Sequence, residues 1–289
     1  MRVASKVIIL LLTALMVVVG CTRLSLAYRN LDVIIPWSLS DYLGMNSTQK
    51  DWFDERLKEH LSWHCTTQLP SYFGWLDRLE DMVRNNQVTD QGLRDRTNEA
   101  KEAIAAISRE ITPSAVELLR GLDDHQVDEM QEAFAKDQAK RQREYVKEPL
   151  PVQIKDRAER MEKRLTPWIG RLNQAQEERV RDWSASLGEQ NRLWIANRAH
   201  WQMLLVAAVR QRQAPDFDQR IAKLLQDRET FWTPEYHVAY EHTEQAVIGL
   251  LGDLMALSTP DQRQRLLEKM QDTRKDFQNL SCLKSAPAA

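Results

Sequence analysis

Apolar residues along this chain recur at helical spacing, and short polar clusters that read as helix starts lie between the recurrences. Trp194, Trp201, Leu205 and Ala208 fall on one face of a 3.6-residue repeat, within a run from Trp201 to Val209 whose only polar member is Gln202. Ala246 to Leu257 carries Asp253 as its single charge. Both runs are well short of the roughly 20 residues of a membrane span, so they predict core helices. No stretch sustains the alternation of a half-buried strand.

The helix starts are legible from chemistry. A short polar N-cap with Gln three residues on satisfies two orphan backbone N–H groups reciprocally. The pattern appears at Asn46-Ser-Thr-Gln49, Asp123-Asp-His-Gln126, Asn173-Gln-Ala-Gln176, Asp216-Phe-Asp-Gln219 and Thr259-Pro-Asp-Gln262. In four of these an apolar residue follows four positions after the Gln: Phe53, Met130, Val180 and Leu266. Thr-Pro pairs predict further starts at Thr112, Thr166 and Thr233, because a proline in the first turn lacks only an N–H that would go unused. Together they predict helices over 47–68, 71–86, 90–110, 113–121, 124–148, 152–170, 174–187, 190–213, 217–231, 234–257 and 260–282. The boxes at 123, 173, 216 and 259 are 50, 43 and 43 residues apart, which would suit a helical-repeat array. The side chains around them do not repeat, so the expectation is a multi-helix bundle of antiparallel helical hairpins. Pro149-Leu150-Pro151 predicts a rigid hinge between two long helices and a subdomain boundary.

Composition agrees with an all-α class. Glycine is scarce, at 9 residues in 289, and charged residues reach 28%, with helix-forming Glu, Gln, Arg, Lys, Leu and Ala dominant. Nine tryptophans read as large wedges between helices. A formal charge of −2 argues against a nucleic-acid partner.

The N-terminus has a different pattern. Arg2 and Lys6 precede an apolar run, Val7 to Val19, broken only by Thr13, too short to span a bilayer but suited to a secretory leader. Val18-Val19-Gly20-Cys21 looks like a bacterial lipobox. Residues 1–20 are therefore expected to be cleaved as a lipoprotein signal peptide, with Cys21 as the acylated anchor. One acyl chain anchors only marginally, whereas the diacylglyceryl and N-acyl chains of a lipoprotein hold firmly. Thr22, not Asp, follows the anchor, and by resemblance to Gram-negative lipoproteins this favours the outer membrane, periplasmic face.

No flexible tether follows. In the membrane-proximal segment 21–46, Leu24, Tyr28, Leu31 and Ile34 share a helical face, and Pro36 is expected to stop the helix and push Ile35 out of the α region. The segment must bury its apolar side in the bundle or in the membrane interface, which keeps the body close to the bilayer. The helical domain is expected over 47–284 and a disordered tail over 285–289.

Leu26-Ala-Tyr28-Arg-Asn30-Leu31-Asp32, Trp37, Asp41-Tyr42, Trp63-His64, Leu69-Pro70 and Tyr72 resemble an uncharacterised family of proteobacterial outer-membrane lipoproteins. The resemblance covers most of the chain and is most specific in the first 75 residues. It implies an envelope address and helical content and carries no catalytic residues. Leu122-Asp-Asp-His-Gln126 and Leu172-Asn-Gln-Ala-Gln176 are more weakly similar to the Leu-Thr-x-x-Gln helix starts of small periplasmic stress-response chaperones.

Few residues offer chemistry. His60 and His64, one turn apart, are weak metal candidates, but the spacing His60-Leu-Ser-Trp-His64 lacks the general base of a zincin helix and has no third ligand. His237 and His242 do not share a face. There is no nucleophile elbow, no phosphate-cradling glycine loop and no cofactor signature. Cys65 and Cys282 remain as thiols once Cys21 is acylated, and an oxidising compartment makes them a disulfide candidate. Lys136 to Arg164 carries ten basic and six acidic residues, which read as mixed pairs on exposed helices. The functional expectation is a non-enzymatic binding or scaffold protein, held to the membrane by its lipid anchor and contacting an unknown envelope protein or polymer. The alternatives are chaperone-like client binding and a cell-envelope hydrolase.

Overall fold

A computed structural model describes residues 22–284, so the leader, Cys21 and the tail 285–289 lie outside the described residues, as do the side chains of 22–25 and 284. The chain runs through α1 (Thr22–Arg29), α2 (Leu31–Ser40), α3 (Ser47–Trp63), a π-helical turn (His64–Gln68), α4 (Leu69–Arg84), α5 (Asp90–Arg120) and α6 (Asp124–Tyr145). It continues through α7 (Leu150–Ile169), α8 (Gln174–Ser186), α9 (Gln190–Arg210), α10 (Phe217–Gln226), a 3-10 turn (Arg228–Phe231), α11 (Pro234–Ala256), α12 (Pro260–Gln278) and α13 (Ser281–Lys284). The described residues are all-α and contain no strand, and no helix among them is long and apolar enough to cross a membrane.

Four capping boxes form with both reciprocal bonds, at Asn46, Asp123, Asn173 and Thr259. They also dock in pairs. Gln49 Nε2 donates to Gly121 O at 2.8 Å and Gln126 Nε2 to Gly44 O at 2.7 Å, while the two amides bond each other. Gln176 and Gln262 repeat the arrangement, with Leu254 O and Arg171 O as the backbone acceptors. Each Gln oxygen also accepts from its own N-cap N–H, so every donor and lone pair of the four amides has a partner. Glutamate could not replace them, because it donates nothing when ionised.

Each docked pair lies beside one of two cores. Val127, Met130, Leu205, Val209, Phe217 and Ile221 lie in the first, between α5, α6, α9 and α10. Val180, Trp183, Leu250, Leu254, Leu266 and Met270 lie in the second, between α4, α7, α8, α11 and α12. Residues 146–149 separate α6, in the first core, from α7, in the second, with Leu150 and Pro151 already in the first turn of α7, and the chain returns to the first core with α9 and α10.

Local signals lose to packing in several places. Asp216 does not cap α10: its backbone is not extended and its carboxylate accepts from Arg220 Nη2 at 2.6 Å. Thr112 and Thr166 do not open helices, and Pro113 and Pro167 are helix-internal. Their hydroxyls turn back to the carbonyls of Ser108 and Glu162, the bond a threonine makes inside a helix. Helices 90–110 and 113–121 are thus one element, and of the four Thr-Pro pairs only Thr233, accepting from Tyr236 N, and the capping-box residue Thr259 open a helix. Pro36 does not stop its helix either: α2 runs through it to Ser40. Leu31 and Ile35 are half-buried over the groove beneath α2, and Leu39 packs against the first core. Ile34 consequently points outward, away from Tyr28 and Leu31.

Candidate functional site

Where α2 leans over α3 and α5 it roofs an apolar groove of about 600 Å³. Leu31, Ile35 and Leu39 line it from above, Trp52, Phe53, Leu57 and Leu61 from α3, and Ile107, Ile111 and Leu118 from α5. A concave site of this size with overwhelmingly apolar walls suits a hydrophobic ligand or chain segment. Polar groups appear at one edge. His60 Nε2 is 2.8 Å from Ser114 Oγ, and Arg56 Nη1 pairs with Glu59 at 2.7 Å. Arg56 Nε and His60 Nδ1 are buried without a hydrogen-bond partner.

The groove ends at a joint between the first and last of the described helices. His64 stands between two phenols, Tyr28 Oη 2.9 Å from Nδ1 and Tyr72 Oη 3.2 Å from Nε2. A neutral imidazole serves both, accepting from one hydroxyl and donating to the other. Burial lowers the His64 pKa, raises that of Tyr72 and, with the neighbouring Tyr72 charge, pushes Tyr28 up to about 12. The ring of Tyr28 also packs edge-on against Phe277 of α12. Beside this cluster Cys65, almost fully buried, is disulfide-bonded to Cys282, with Cα atoms 6.3 Å apart. Four of the residues that carry the sequence resemblance converge here: Tyr28, His64, Leu69 and Tyr72 surround one joint.

Beyond the joint a second apolar groove, of about 680 Å³, opens between α4, α5 and α12, with Tyr72, Phe73, Trp75, Ile104 and Phe277 in its walls. At its edge Glu99 accepts from Arg78 and Arg96 at 2.8 and 2.6 Å. Consecutive residues of α5 serve the two grooves, Ala106 the second and Ile107 the first.

Residues 41–237 match the family described as "Family of unknown function (DUF6279)". The chain belongs to that family. The DUF6279 match takes in α3 to α10, with both core-forming elements of the first groove, while α1 and α2 precede it and α12 and α13 follow it. A search of the curated proteins and a search of the solved structures each found no match.

Within this DUF6279 chain the two metal candidates part company, His60 turning to α5 and His64 to the tyrosines. No group of three or more His, Cys, Asp or Glu suited to a metal ion occurs among the described residues. His237 lies 3.4 Å from Glu241 and against the Trp232 ring. The anchor candidate Cys21 lies outside the described residues. In the charged stretch 136–164, Lys136–Glu132, Arg141–Asp137 and Lys155–Glu159 are pairs one turn apart. The groove residues escape a reading of the sequence as a site. Phe53, Leu57 and Leu61, and Ile104, Ile107 and Ile111, do mark apolar faces at helical spacing. A face implies burial, and only the crossing of two helices leaves a gap between them.

Proposed function

We propose that this DUF6279 chain is an outer-membrane lipoprotein facing the periplasm, cleaved before Cys21 and acylated there, whose helical body binds another envelope component. The apolar groove under α2 carries the reading. Its walls offer an apolar segment about 600 Å³ of space with a polar edge at Arg56 and His60 for orientation. The leader and lipobox support the address. Chaperone-like binding of a client polypeptide is the second reading, favoured by the second groove, which shares α5 with the first and has charged residues at its rim.

Two measurements test this. Mass spectrometry of the mature N-terminus should find Cys21 first and triacylated; a bare cysteine or an intact leader overturns the address. Crosslinking in intact envelopes should capture a partner through a photoreactive group at Leu61 or Ile111. Ala115→Phe, which fills the groove, should abolish that capture while leaving helicity unchanged. Capture unaffected by the filled groove overturns the site.

A further inference from the structure

We propose that α1 and α2 form a protein-borne membrane contact, with Leu26, Val33, Ile34 and Trp37 seated in the interfacial layer of a phospholipid bilayer. Asn30 interrupts the two helices only slightly, since Asn30 N still bonds Ala27 O at 3.2 Å and Ile34 N bonds Asn30 O at 2.9 Å. At 3.6 residues per turn the side chains then divide into two opposite faces. Tyr28, Leu31, Ile35 and Leu39 face the body, against His64, Phe277 and the first groove. Leu26, Val33, Ile34 and Trp37 face away and are 58%, 63%, 39% and 70% exposed.

The segment is not apolar all round, since Asn30 and Asp32 are exposed polar members of it. It nevertheless presents four large apolar residues that the body does not cover, and clustered exposed apolar residues mark a contact site. Position in the chain identifies what covers them. Leu26 is five residues after Cys21 and seven after Val19, the end of the leader's apolar run, and residues 22–26 are already helical, without slack. Whether the chain is held by acyl groups on Cys21 or by a retained apolar leader, this face is delivered to the bilayer. Its chemistry fits. Trp37, the most exposed large apolar residue described, prefers the headgroup level, and Arg29 and Ser38 flank the stripe with polar groups. A second copy is the poorer occupant, because stable protein interfaces take roughly 20–30 residues a side and this stripe offers four large ones.

The proposal adds to the lipoprotein reading a contact that does not require acylation. The full mature chain, purified from membranes, would be reconstituted in phosphatidylethanolamine–phosphatidylglycerol vesicles whose acyl chains are brominated near the headgroup or near the chain end. Tryptophan emission should be quenched more by the shallow bromines. Trp37→Phe should remove most of that quenching while keeping the face apolar, and Val33→Asp, at an exposed position, should lower it several-fold with Trp37 in place. Circular dichroism confirms that both variants are folded. Quenching equal in Trp37→Phe and the parent overturns the proposal, as does a Trp37-dependent dimer that leaves emission insensitive to bromine. The N-terminal mass separates the two readings: acylated chain without quenching removes the contact and spares the anchor, whereas quenching with unacylated Cys21 does the reverse.

Discussion

Gln176 and Gln262 exchange side-chain hydrogen bonds at 3.1 and 2.9 Å in the second core, 86 residues apart in sequence. Each closes its own helix start and also accepts from, and donates to, the other. Local capping and tertiary docking are therefore one network, and a strong one because it is buried and complete. Gln176→Leu leaves Gln262, Leu254 O and Asn173 N short of partners. The expected loss is about 1–3 kcal/mol in a urea titration, and a double-mutant cycle with Gln262→Leu should return a coupling of similar size.

The Cys65–Cys282 bond spans a sequence separation of 217. The chain-entropy account gives such a loop about 5 kcal/mol. A reducing agent should lower the melting temperature of the parent protein, and Cys65→Ser/Cys282→Ser should melt at the reduced value with or without it. Indifference of the parent to reduction would contradict the bond.

His64 links stability to pH. Burial lowers its pKa below the ordinary 6.5, so in acid the unfolded chain takes up its proton first. This contribution to stability is fully present above about pH 6.5 and is lost as pH falls toward the lower folded value. Between pH 7 and 5 the parent should lose more melting temperature than His64→Gln. Equal losses would show that the imidazole contributes nothing to the slope.

Arg157 is buried and has backbone partners, Nη1 donating to Ser184 O at 2.8 Å and Nη2 to Gly188 O at 3.0 Å. It satisfies carbonyls at the end of α8, where a cation is also favoured by the helix dipole. Arg157→Lys keeps the charge but cannot span both acceptors. Its denaturation midpoint should fall by the equivalent of about 1–3 kcal/mol.

Much of this architecture is legible in the sequence where the signal is local. Asn46, Asp123, Asn173 and Thr259 cap as their Gln spacing predicts, and the all-α class follows from composition and periodicity. Asp216 has the same spacing and fails, because Arg220 one turn on takes its carboxylate. Pro113 and Pro167 read as helix starts and are helix-internal, where the burial on either side outweighs one lost backbone bond, and Pro36 reads as a stop that α2 runs through. The pairing of boxes 77 and 86 residues apart, the interleaving of two cores and the grooves beside α5 all depend on how helices cross. Crossing is set by side chains distant in sequence, which no window of periodicity contains.

The edge-on contact of Tyr28 with Phe277 and the bridge from Cys65 to Cys282 bring the two ends of the described residues to the same doorway. An affinity tag or fluorescent reporter inserted at α13 would sit at the joint that Tyr28 shares with Cys282 and Leu283, competing for room with whatever α1 rests on. Labels intended to leave that neighbourhood undisturbed belong elsewhere, for instance in the turn between Gln211 and Asp216.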